Sequence, residues 1–183
     1  MRQIRRSDLT AQPWKNGGGL TWEIATFPEG AGFEDMLWRL SMAEVASDGG
    51  FSAFAGIDRT LTVLSGGGMV LDFAQGGSVA LDTSAPPLSF PGEAVVSARL
   101  NAGPIVDLNI MTRRGAWSHR VETVAAGERV PSGTLALVAR DQPVAIGDRV
   151  LHPGEVLLSD RAQELEEFIA RHTVLAVIVR RLE

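Results

Sequence analysis

Two arginines, an aspartate and an asparagine stand on strands whose alternation sorts each of them onto one face. In Asp58-Arg59-Thr60-Leu61-Thr62-Val63, Arg59 shares its face with Leu61 and Val63, which points the guanidinium toward an interior or its mouth. A guanidinium held there needs an acid, and its planar fork matches the two oxygens of a carboxylate. Glu23 or Asp107 of the protein, or the carboxylate of a ligand, would serve. In Trp38-Arg39-Leu40-Ser41-Met42, alternation sets Arg39 and Ser41 against Trp38, Leu40 and Met42. Asp107-Leu108-Asn109-Ile110-Met111 alternates in the same way, with Asp107, Asn109 and Met111 on one face. That face either meets water or opens a polar pocket.

Trp14-Lys15-Asn16-Gly17-Gly18-Gly19 is a second place for chemistry, and Lys15 is the only lysine among 17 basic residues. The glycines allow a close backbone approach. The Gly-Lys-Ser/Thr ending of a phosphate loop is missing, and a strand follows rather than a helix. Two readings stand: a turn in which Trp14 plugs the end of a barrel, or a loop that grips a ligand. In the second, Trp14 offers a flat wall and Lys15 and Asn16 offer donors.

Other chemistries are poorly served. There are no cysteines, and the three histidines, His119, His152 and His172, are far apart in sequence. Disulfides, thiol nucleophiles and a clustered imidazole metal site are therefore not expected, nor is any cofactor. Ser52 has no nucleophile elbow around it. A net charge of −5 argues against a broad nucleic-acid footprint. No run of about 20 apolar residues would span a membrane, and the first residues lack the apolar stretch of a signal peptide. A cytoplasmic protein is expected.

The elements that must position these groups read as short strands punctuated by Gly, Pro, Asn and Asp. Runs at 20–27, 36–45, 59–64, 69–73, 94–100, 105–112, 134–140, 149–151, 156–159 and 174–182 carry the β signal. One helix is expected over 161–171, capped by Asp160, with Ala162, Leu165, Phe168 and Ile169 as its apolar stripe, the alternative being that Leu165–Ala170 pairs as a strand. An internal repeat orders the rest. Pro91-Gly92-Glu93-Ala94-Val95-Val96-Ser97 recurs 62 positions later as Pro153-Gly154-Glu155-Val156-Leu157-Leu158-Ser159. Upstream, Thr60–Leu64 is echoed by Thr134–Val138, and downstream, strands ending Arg113-Arg114 and Arg180-Arg181 correspond. Three matches in one order imply two related β-barrels.

Aligned through those paired arginines, Asp107-Leu108-Asn109-Ile110-Met111 lies over Val174-Leu175-Ala176-Val177-Ile178. The second strand is apolar on both faces, as a filled barrel requires. In the first, one face has become Asp, Asn and Met. If there is a pocket, it belongs to the first barrel. Phe51 and Phe54 would anchor a rim loop beside it.

The doubled strand–turn unit with its Pro-Gly-Glu turn looks like a cupin. Trp14–Gly19, Trp38-Arg39-Leu40-Ser41, Phe51-Ser52 with Gly56-Ile57-Asp58-Arg59, and Asp107–Arg114 together resemble the HutD/Ves family of small bacterial bicupins. The likeness spans most of residues 1–115. It implies an all-β bicupin, with a first barrel over 1–118 and a second, degenerate one over 119–183. It further implies a homodimer, and regulation of histidine utilisation through a bound pathway intermediate such as urocanate, formiminoglutamate or formylglutamate. On that reading Trp14, Lys15, Asn16, Arg39, Arg59, Asp107, Asn109 and Met111 bind a small carboxylate metabolite, with no metal and no catalytic residue. The competing readings are a metal-independent enzyme with Asp107 or Glu23 as general base, and a stress-related interaction protein.

Overall fold

A computed structural model describes residues 1–160 and 164–183. In the first half the strands are β1 (Arg2–Ile4), β2 (Ala11–Pro13), β3 (Gly19–Phe27), β4 (Trp38–Val45), β5 (Gly49–Gly50) and β6 (Ile57–Gly66). They continue as β7 (Met69–Phe73), β8 (Ser78–Leu81), β9 (Leu88–Pro91), β10 (Val96–Leu100) and β11 (Ile105–Arg113). The second half holds β12 (Trp117–Val124), β13 (Thr134–Val138), β14 (Val144–Ile146), β15 (Arg149–Leu151), β16 (Val156–Leu158) and β17 (Val174–Arg181).

A six-stranded sheet ordered β2-β3-β4-β11-β6-β9 faces a four-stranded sheet ordered β5-β10-β7-β8. A five-stranded sheet, β1-β16-β13-β17-β12, builds the second half with the β14-β15 ribbon. All pairings are antiparallel, and the ladders leave each half as facing sheets rather than a fully hydrogen-bonded barrel. The fold is an all-β bicupin.

Alternation explains the layering. Leu40 and Met42 of β4, Leu64 of β6, and Leu108 and Ile110 of β11 turn outward from the first half. They meet Ala136, Val138, Val156, Leu158, Leu175 and Val177 of the second in one shared apolar layer. The opposite parity of β17 places Val174, Ala176 and Ile178 with Leu137, Leu157, Ile146 and Leu151 in the second interior. His119 on β12 bridges the halves, its two ring nitrogens bonded to the Thr60 and Thr112 hydroxyls at 2.8 Å each. Burial pushes its pKa down to about 4, so the bridge is made by neutral imidazole.

One expectation changes, and two pairings add to what the sequence shows. No helix runs from 164 onward: residues 164–167 form a turn and Ile169 makes a lone bridge to Arg129, while 161–163 lie outside the described residues. Strand β1 crosses to pair with β16, tying the first residues of the chain to the second half. The two Pro-Gly-Glu turns also part ways, since β10 joins the four-stranded sheet whereas β16 lies beside β13.

Candidate functional site

The interior face of β4, β11 and β6 carries the chemistry, and register fixes its layout. Arg39, Met111 and Arg59 lie in one row across the three strands. Ser41, Asn109 and Leu61 make the next row, and Ala43, Asp107 and Val63 the third. Ile105, at one end of β11, packs with Leu61, Val63, Met69 and Leu71. Met111, at the other end, packs with Met36 and Ile57. Between these apolar ends lies a cavity of about 590 Å³. All of Trp14, Lys15, Asn16, Arg39, Arg59, Asp107, Asn109 and Met111 line it.

Arg59 is 5% exposed, and its Nε has no hydrogen-bond partner among the described residues. Its guanidinium lies between two rings, with its carbon 5.2 Å from the Phe51 centroid and 5.0 Å from that of Phe90. Such stacking holds a cation in place without answering its N–H groups. Neither of the protein carboxylates expected to pair with Arg59 forms an ion pair with it. Glu23 goes instead to Arg39, whose Nε donates to Oε2 at 2.7 Å and whose Nη1 donates to Ser41 Oγ at 3.3 Å. Asp107 interacts with Arg59 through the field alone.

Asp107 is 1% exposed and Asn109 7% exposed, and Oδ1 of each lacks a partner among the described residues. Desolvation pushes the Asp107 carboxyl up to about 7, with the Arg59 charge offsetting part of the rise. Burial likewise lowers Arg59 to about 10, against the pull of Asp107, which leaves it charged at neutral pH. The interior thus holds one committed cation, Arg39, one uncommitted cation, Arg59, and a carboxyl poised near neutrality.

The glycine-rich segment forms one wall. Gly17 N–H donates to Trp14 O at 3.0 Å and Gly18 N–H to Asn16 Oδ1 at 3.0 Å, which closes a tight turn. Trp14 Nε1 donates to Thr21 Oγ1 at 2.7 Å, and its ring covers Gly19, where an added Cβ would collide with the Glu44 carbonyl. Glycine at 19 is therefore what lets the indole lie flat against β3. Trp14 meets Phe51 edge-on at 6.3 Å, while Lys15 and Asn16 are exposed at the rim. Asn16 keeps only its amide N–H groups for a guest, since its oxygen caps the turn.

Sequence reasoning missed Phe33 and Phe90. Phe33 stacks on Phe54 at 4.7 Å and covers the Arg39 guanidinium at 4.9 Å. It sits in a loop with no periodic signal. Phe90 lies on β9, a short edge strand whose Leu-Ser-Phe-Pro run is too brief to register as one.

Comparison with known proteins gives consistent likenesses. The family model HutD matches residues 6–175. A relative from Pseudomonas putida, known as an uncharacterised 21.2 kDa protein in the hutC 3′ region, is 37% identical over 80% of this chain and 77% of its own length. Protein Ves from Citrobacter koseri is 42% identical over 59% of this chain and 56% of its own. Among solved structures, HutD from Pseudomonas fluorescens superposes with a TM-score of 0.83 at 30% identity, covering 100% of this chain and 99% of that one. A cupin 2 barrel protein from Leptotrichia buccalis matches with a TM-score of 0.58 at 11% identity, covering 98% and 96%, which supports the fold alone.

Proposed function

The chain belongs to the HutD family, associated with a histidine-utilisation region, and on that premise we propose that its first-half cavity binds a small carboxylate metabolite. The bound species is an intermediate of histidine breakdown, and its occupancy regulates that pathway, with the protein acting as a homodimer. The observation that carries this reading is Arg59: a buried guanidinium, without an ion-pair partner among the described residues, on the wall of a cavity. Evolution rarely leaves a buried charge unanswered unless a partner arrives. A carboxylate laid against its free N–H groups would complete it. Arg39, held by Glu23, and Lys15 at the rim add positive potential along the entry.

The test is thermal unfolding with millimolar urocanate, formiminoglutamate, formylglutamate, histidine and glutamate. Binding to the native state at a hundredfold excess over Kd stabilises by about 2.7 kcal/mol, or roughly 5–10 °C for a chain of this size. A shift with at least one acid is expected, and Arg59→Ala should abolish it by weakening binding about a hundredfold. Absence of a shift with every acid, or full retention in the variant, would sink the reading. A second reading makes Asp107 a general acid–base, favoured by a carboxyl pushed up to about 7. Turnover of excess ligand seen by NMR would select it, and an unchanged spectrum would select binding alone.

A further inference from the structure

An anion answers Arg59 but leaves the rest of the inward face of β11 unanswered. Asn109 and Asp107 are two residues apart on that face, roughly 7 Å along the strand, and each presents an orphaned Oδ1. Their cross-strand neighbours leave both oxygens unanswered. Leu61 and Val63 are apolar, Ala43 has no polar side chain, and the Ser41 hydroxyl, which accepts from Arg39, makes no bond to Asn109 Oδ1. Arg59 stands one row beyond Asn109, opposite Met111. The wall therefore reads, along one line, as an unpaired donor followed by two unpaired acceptors. A buried acceptor left unsatisfied weakens a complex, so the guest that fits must answer both kinds of group.

Resting on the carboxylate reading above, we propose that β11 forms a second, acceptor subsite in which Asn109 and Asp107 take hydrogen bonds from a nitrogen-bound proton of the ligand. The site then selects carboxylates that also carry an amide, amidine or imidazole N–H, and discriminates against carboxylates of the same shape without one. Selection comes from the unanswered acceptors rather than from added attraction, because a guest lacking the proton strands them in a dry wall.

Two matched pairs of probes test this on the unaltered protein by calorimetry. One pair is urocanate and 3-(3-furyl)acrylate, whose ring has the same size and no N–H. The other is N-formylglutamate and its ester analogue, with oxygen in place of the N–H. In at least one pair the N–H member should bind about tenfold to a hundredfold tighter. Asn109→Leu should shrink that ratio toward one, both by weakening the N–H member and by relieving the penalty on the N–H-free member. Equal binding within each pair overturns the acceptor subsite and leaves the carboxylate reading standing. A ratio that survives Asn109→Leu overturns the role given to Asn109. Binding by none of the four overturns both, and Arg59→Ala, which should weaken all binders alike, tells the two subsites apart.

Discussion

The interiors of the two halves are built on equivalent strands and filled in opposite ways. On β17, Val174, Ala176 and Ile178 close an apolar core with Leu137 and Leu157. On β11 the equivalent parity carries Asp107, Asn109 and Met111, and a cavity opens in front of them. The other parity is conserved in character: Leu108 and Ile110, like Leu175 and Val177, join the layer between the halves. The repeated strand therefore keeps one face apolar in both halves, while its other face fills a core in the second half and lines a polar cavity in the first.

The sharpest way to break this comparison is to give the second interior the polarity of the first. Ala176 is fully buried among apolar neighbours. Ala176→Asp should cost about 3–5 kcal/mol as an uncompensated buried charge, a large share of a typical domain's stability. Urea unfolding measures it. A loss below 1 kcal/mol would show that the two interiors tolerate charge alike, and the division of labour would fail.

Next in size is the pH dependence that Asp107 brings. Its carboxyl ionises near pH 7 in the folded chain and near 3.9 unfolded. The folded state then holds the extra proton between those values, so this contribution to stability is complete below about pH 4 and is lost as pH rises through about 7. The loss is at most roughly 4 kcal/mol. His119 works the other way: lowered to about 4 by burial, it contributes stability above about pH 6.5 that is lost as pH falls through about 4. The opposing slopes mask each other in the parent, so the informative quantity is the difference between Asp107→Asn and the parent. The variant should match the parent near pH 4 and gain on it steadily up to pH 8. A constant difference across that range would mean that Asp107 is not held protonated by its surroundings.

What could be read from the sequence follows the range of the interactions concerned. The face occupied by Arg39, Arg59, Asp107 and Asn109 was legible because period-2 alternation is local and β4, β6 and β11 are long enough to show it. The second half sharpened it, since Val174-Leu175-Ala176 shows what a filled version of the same strand looks like. The partner of each charge was not legible. Glu23 reaches Arg39 rather than Arg59 because β3 lies directly beside β4, while β4 and β11 stand between it and β6, and no local pattern encodes that order. Strand β1 was missed for a related reason: three residues cannot show a period, and its partner β16 is more than 150 positions away. The expected helix at 161–171 rested on an apolar spacing at Leu165, Phe168 and Ile169. Leu165 and Phe168 instead pack onto the second interior, while Ile169 bridges to Arg129.

The smallest effect separates the two Pro-Gly-Glu turns, whose sequences match but whose glycines do different work. Gly154 holds φ at +82° with open space around it, so Gly154→Ala carries only the strain of a left-handed alanine, about 1–2 kcal/mol. Gly92 is not left-handed, yet a Cβ there would stand 2.7 Å from the Phe54 carbonyl and 2.9 Å from that of Ile57. Those are backbone atoms of the rim loop and of the start of β6, and Gly92 itself donates to Ile57 O at 2.6 Å and accepts from Phe54 N at 2.8 Å. Gly92→Ala must therefore push the Phe54 rim away from Phe33 and the Arg39 guanidinium beneath it. Gly92→Ala should cost at least as much stability as Gly154→Ala, because backbone must shift to admit the Cβ, and only Gly92→Ala should weaken carboxylate binding, by a few-fold, because only the first turn touches the cavity wall. Equal ligand affinities in the two variants would show that the rim is set elsewhere, and that the first Pro-Gly-Glu turn is as purely structural as the second.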